Sequence, residues 1–142
     1  MKKLITALAI FGAYSTFGQL VETIISNPSV TDGMCSDESG KIYTASGGLD
    51  GHEVGIYDPS DGSFDDYSIT GLDGPTDVEF LNDSILVITN YDTDVMSIYN
   101  LNTGLVSTIA DENLDGPGGV ETSDDGFIYV TNWGNAPLYA GK

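Results

Sequence analysis

Three pairs of residues recur in this 142-residue chain at one spacing, 42, and each pair is of a type that can do chemistry. Glu79 and Glu121 are the first pair. Carboxylates repeated at one strand position can turn oxygen ligands toward a shared axis, a set suited to calcium or another divalent cation; the same carboxylates can equally stand solvated in a water-filled channel. Asn90 and Asn132 are the second pair. Their amide oxygens can ligate, or the side chains can cap a turn through local backbone hydrogen bonds. Tyr91 and Trp133, the third pair, follow directly. An aromatic ring there can stack on a sugar or pack against a neighbouring repeat. Asn90, Tyr91, Asn132 and Trp133 are therefore the candidate ligand-binding set, and Glu79, Glu121 and Asn132 the candidate metal set. His52 is the only histidine and is expected in a loop, so a histidine-based triad or a histidine-rich zinc site has nothing else to draw on. The aspartates at 58–66, 92–94 and 124–125 lack the terminal Glu of a calcium loop and read as turns. Neither a phosphate-binding loop nor a Gly-x-Ser-x-Gly elbow is present. No catalytic residue is expected among them.

The elements that must position these pairs are themselves repeats. Residues 72–91 laid over 114–133 match at nine of twenty positions without a gap. A period of about 40–45 residues is the signature of β-propeller blades. Short β-branched runs separated by turn residues predict strands at 41–45, 53–57 and 64–69, then at 77–80, 85–89, 95–99 and 106–110, then at 119–122 and 127–131. Inner strands are expected to begin near Met34, Val78 and Val120. The predicted fold is all-β, with blades of four antiparallel strands and about two and a half to three blades in all. The loops at 27–33, 71–76 and 111–117 should share one face with those at 46–53, 90–95 and 132–137.

Composition narrows the partners. The chain carries four basic residues against 22 acidic ones, a formal charge of −18, and no arginine. Such a surface repels phosphate backbones and anionic lipids, which argues against nucleic acid and against a basic-patch membrane contact. Lys2 and Lys3 precede a short apolar run, and Thr16-Phe17-Gly18 places smallish residues before Gln19. That is the pattern of a secretory signal peptide over residues 1–18, which leaves 19–142 as the repeat domain and predicts a secreted or periplasmic product. The apolar run is too short for a membrane span, which needs about 20 residues. Cys35 is the only cysteine, so no intrachain disulfide can form, and it is expected to be a small buried residue.

Residues 116–132, Gly-Pro-Gly-Gly-Val-Glu-Thr-Ser-Asp-Asp-Gly-Phe-Ile-Tyr-Val-Thr-Asn, resemble the NHL-type repeat and the related repeat of the gluconolactonase/regucalcin-like propellers. The resemblance extends over roughly residues 28–133. It implies a six-bladed propeller whose loops on one face form the ligand surface. It also implies a divalent cation near the axis, held by an early Glu, an Asn and an Asp, that activates water or polarises a lactone carbonyl. Asn132 stands where the family has the Asp, so it can ligate but cannot act as a base. Gly118 stands where the family has the Asn, and the early Glu-Gly-Pro motif reads Thr31-Asp32-Gly33.

The function expected is a ligand- or partner-binding scaffold that takes a small molecule, a carbohydrate or a protein on its loop face. The alternative is a metal-dependent hydrolase of sugar-type lactones. Matching at a spacing of 42 puts a third strand of the last repeat at 137–142, and residues 20–25 resemble an outer strand without inner partners. The expectation is therefore the N-terminal portion of a longer propeller or, failing that, a homodimer in which two chains complete each other's blades.

Overall fold

The computed structural model describes residues 23–24, 32–47 and 51–134. Within them every regular element is a strand. The first sheet holds β1 (Met34–Ser36), β2 (Ile42–Ala45), β3 (Val54–Asp58) and β4 (Ser63–Ile69), and the second β5 (Pro75–Asn82), β6 (Ile85–Asn90), β7 (Val95–Asn100) and β8 (Leu105–Ala110). The third sheet has β9 (Pro117–Thr122) paired with β10 (Ile128–Asn132). All pairings join sequence neighbours and all are antiparallel. This is two four-stranded blades and the inner pair of a third. The expected strand at 20–25 lies outside the described residues except for Thr23 and Ile24, and so do the expected signal peptide and the strand at 137–142. Among the described residues no helix is long and apolar enough to cross a membrane.

The blades stack face to face, and the period-two alternation of a strand decides which neighbour each side chain meets. On β6, Leu86 and Ile88 turn toward the first blade, where they join Tyr43, Ala45, Val54, Ile69, Leu72 and Val78 in one cluster. Val87, between them, turns the other way and joins Met96 and Val120. All three are fully buried. At about 1.5–3 kcal/mol for each such side chain, this double-sided burial is a main source of cohesion between blades. It also explains why β6 opens on four apolar residues, Ile85 to Ile88, while the outer strand β4 alternates between partly covered and exposed. Phe80 sets its ring edge-on to Tyr43 across the first interface, with centroids 5.0 Å apart.

The Asp-Gly-Pro turns that lead into β5 and β9 are geometrically alike. Gly74 and Gly116 adopt φ of 60° and 58°, a left-handed conformation that glycine takes without the Cβ clash. Each turn then offers its glycine carbonyl to the residue just after the second strand. The Tyr91 and Trp133 amides donate to Gly74 and Gly116 respectively, both at 2.8 Å. In the second and third repeats the turn before the inner strand and the residue after the second strand thus lie together at one end of the blade.

Candidate ligand-binding site

The two aromatic residues meet at that end. Trp133 and Tyr91 are edge to face, with ring centroids 6.3 Å apart and planes at 72°. Two glycines make room for them. A Cβ on Gly118 would come within 2.6 Å of the Trp133 indole nitrogen, and one on Gly116 within 2.7 Å of the Tyr91 ring. Trp133 remains 64% exposed, so much of its ring surface faces solvent. It walls an open groove of about 290 Å³ whose other lining residues are Asp32, Gly33, Thr76, Asp77, Gly118 and Gly119.

Below this groove the second blade grips the third. Asp77 Oδ2 accepts from the Val120 amide at 2.8 Å, while its Oδ1 accepts from Val78 N at 2.9 Å. Thr76 Oγ1 donates to the Pro117 carbonyl at 2.8 Å, and Thr89 Oγ1 to that of Gly118 at 2.6 Å. Further down, Thr122 Oγ1 returns a bond to the Phe80 carbonyl at 2.7 Å. In the third repeat Gly118 and Gly119 occupy the positions of Thr76 and Asp77. The side chains that grip a neighbour in one repeat are missing in the next, and the groove opens where they are missing.

The expected metal set does not converge. Glu79 and Glu121 hold equivalent inner-strand positions, opposite Val87 and Tyr129. Burial, and then the carboxylate of Glu121, raise the Glu79 pKa above its ordinary value. Asn132, however, sits opposite Pro117 at the other end of β9 from Glu121. At about 3.3 Å per residue, that separation is roughly 10 Å or more along the strand, too far for one ion. In the first blade Cys35 takes the equivalent place, opposite Tyr43, so the carboxylates do not recur in every blade. Cys35 is half-buried rather than fully buried, because β1 is a three-residue inner strand with its edge open. Burial, helped by Glu79, Asp77 and Asp37, pushes its thiol up to about 12. Among the described residues no three His, Cys, Asp or Glu side chains are grouped so as to hold a metal ion.

The two asparagines differ. Asn90 is 1% exposed, and both ends of its amide are engaged inside the fold. Its nitrogen donates to Ser97 Oγ at 3.1 Å and Val95 O at 3.4 Å, and its oxygen accepts from Asp73 N at 3.3 Å. These bonds hold the hairpin between β6 and β7. Asn132 is exposed and donates to Asn113 O at 3.1 Å. His52 lies just before β3, with Nδ1 3.0 Å from Asp73 Oδ1, an exposed contact between neighbouring loops. The aspartates at 92–94 and 124–125 lie in turns, but in the 58–66 cluster Asp58 ends β3 and Asp65 and Asp66 lie within β4. Asp58 accepts from Ser60, and its pKa falls to about 2 through that bond and through Lys41 Nζ at 2.9 Å.

Of the four expected ligand-binding residues, the structure joins Tyr91 and Trp133 and separates Asn90 from them by burying it. Asp32, Thr76, Asp77 and the Gly118-Gly119 pair were missed. The signal for Thr76, Asp77 and the glycine pair was in the repeat alignment, where Leu-Asp-Gly-Pro and Val-Glu are shared and the two residues between them change from Thr-Asp to Gly-Gly.

Solved structures share this architecture. A virginiamycin B lyase from Staphylococcus aureus superposes with a TM-score of 0.60 at 14% identity, covering 75% of this chain and 36% of that one. A streptogramin B lyase gives 0.59 at 21% identity, over 76% and 36%. A catalytically inactive His-to-Ala variant of the Staphylococcus aureus lyase, with quinupristin, gives 0.61 at 19% identity over the same shares. The chain has the β-propeller fold. It spans about a third of the length of these relatives. At such identities the likeness shows the fold and not the particular family that the repeat resembles. No protein-family model matches the chain, and no curated protein does.

Proposed function

We propose that this chain contributes a ligand-binding face to an exported propeller scaffold, with the groove beside Trp133 as the binding site. The observation that carries the reading is a groove of about 290 Å³ in which the Trp133 indole lies on the Gly118 backbone beside Asp32, Thr76 and Asp77. A large exposed aromatic beside convergent polar groups in a concave site is the usual composition of a ligand pocket. Export rests on the residue pattern of 1–18, and N-terminal sequencing of the secreted product checks it. The lactone-hydrolase alternative gains no support from the geometry, since Asn132 stands apart from Glu79 and Glu121.

Trp133 is the single tryptophan of the chain, so its fluorescence reports on the groove alone. A panel of small organic cations, neutral saccharides and divalent metal salts should contain at least one class that shifts its emission saturably. Gly118→Ala drives a methyl group into the indole and should remove that response. A panel in which no class changes the emission or the melting temperature refutes the site.

A further inference from the structure

Resting on the reading of the groove as a binding site, we infer that its ligand is a small organic cation, an ammonium or quaternary ammonium group held against the Trp133 ring. Three observations converge. The first is the lining. Apart from the indole N–H, the groove's side chains are the carboxylates of Asp32 and Asp77 and the Thr76 hydroxyl, whose proton goes to the Pro117 carbonyl. It has no cationic group for an anion and few donors for an uncharged ligand rich in acceptors.

The second is the field. Among the described residues the basic side chains are Lys41 and His52. Lys41 is tied to Asp58 at 2.9 Å, before β2 and so at the opposite end of the blade from the groove. His52 sits against Asp73. The loops around the groove carry Asp73, Asp92, Asp94 and Asp115 besides its own two aspartates. A cleft lined by one sign of charge concentrates ligands of the other sign.

The third is the aromatic wall. An indole is the strongest of the side-chain rings in attracting a cation to its face. Trp133 is held in place by its own amide bond to Gly116 O, by Tyr91 at its side and by the flat Gly118 backbone. A ring fixed before binding loses little freedom when a ligand arrives. A groove of about 290 Å³ suits a ligand of choline size.

Choline chloride titrated into the full chain, followed by Trp133 fluorescence and by calorimetry, tests this. Its uncharged isostere 3,3-dimethylbutan-1-ol and the neutral disaccharide maltose run beside it. Choline should produce a saturable change and the isostere none. Its affinity should fall severalfold as sodium chloride rises from ~20 mM to ~0.5 M, because screening weakens exposed charge attraction. Calorimetry should show Trp133→Ala weakening choline by roughly 2–30-fold, Trp133→Phe by less, and Asp32→Asn by a further step, with cooperative melts showing that each variant is folded. Equal response to the isostere, an affinity indifferent to salt, or binding of maltose alone overturns the cation and leaves the groove standing as a site. Silence toward choline also overturns the cation, and silence toward all three together with the wider panel removes the groove as well.

Discussion

Thr89 and Thr131 occupy the same place in successive repeats but stand in different surroundings, and that difference predicts unequal costs for one substitution. Thr89 is fully buried. Its hydroxyl donates to Gly118 O of the next blade at 2.6 Å and accepts from Asp77 N at 3.1 Å. Thr89→Val keeps the volume and the β-branched shape, so strand propensity and packing change little. It leaves a buried carbonyl and a part-buried amide short of a partner. At about 1–3 kcal/mol for each orphaned group, and with Thr76 Oγ1 3.4 Å from Gly118 O as a weak substitute, a loss of about 2–4 kcal/mol is expected. In a domain of this size that lowers the melting temperature by on the order of 10 °C or more. Among the described residues the Thr131 hydroxyl bonds within its own blade, to Gly119 N at 2.9 Å and Gly119 O at 3.4 Å, and is exposed. Water replaces it, and Thr131→Val should cost less than about 0.5 kcal/mol. Urea and thermal unfolding of the two variants beside the parent chain measure the contrast. Equal losses, or a Thr89→Val variant as stable as the parent, would refute the claim that side-chain bonds across the blade interface hold the repeats together.

Glu79 gives a pH-dependent expectation. Its folded pKa lies above the unfolded value, burial first and Glu121 second, so ionisation costs the folded state more than the unfolded one. The penalty is present at neutral pH and lifts as pH falls through the folded pKa; Glu79→Gln should therefore melt higher than the parent at pH 7 and converge with it in acid. The Cys35 thiol, pushed up to about 12, should resist a thiol-reactive dye at pH 8. Against an ordinary cysteine of pKa about 8.5, the folded chain has on the order of a thousandfold less thiolate, and equal labelling rates with and without denaturant would contradict this. Finally, with a formal charge of −18, self-repulsion should ease with screening. The melting temperature should rise between tens of millimolar and about half-molar monovalent salt, and a flat or falling curve counts against it.

The fold was readable because its signals are local and repeated. Strands expected at 85–89 and 95–99 run Ile85–Asn90 and Val95–Asn100, where β-branched residues sit between Asp- and Asn-rich turns. The three-residue β1 was visible only through the starting position it shares with later repeats. The site was only partly readable, because its members are defined by what the neighbouring blade does. Asn90 and Asn132 are the same letter at the same repeat position, yet the first is sealed in and the second is exposed. Asp77 bonds to an amide 43 residues away. Nothing in its own segment distinguishes it from a solvated strand carboxylate.

The exchange of Thr76-Asp77 for Gly118-Gly119 has a consequence for how such a chain can diversify. The position serves as a clasp in one repeat and as a vacancy in the next, and the same two residues cannot be both. Every hollow of this kind therefore removes a fastening between adjacent modules. A ring of similar repeats can afford such hollows in some places while the rest stay clasped. Placing Thr-Asp at 118–119 should thus erase the hollow, since a Cβ at 118 comes within 2.6 Å of the Trp133 indole.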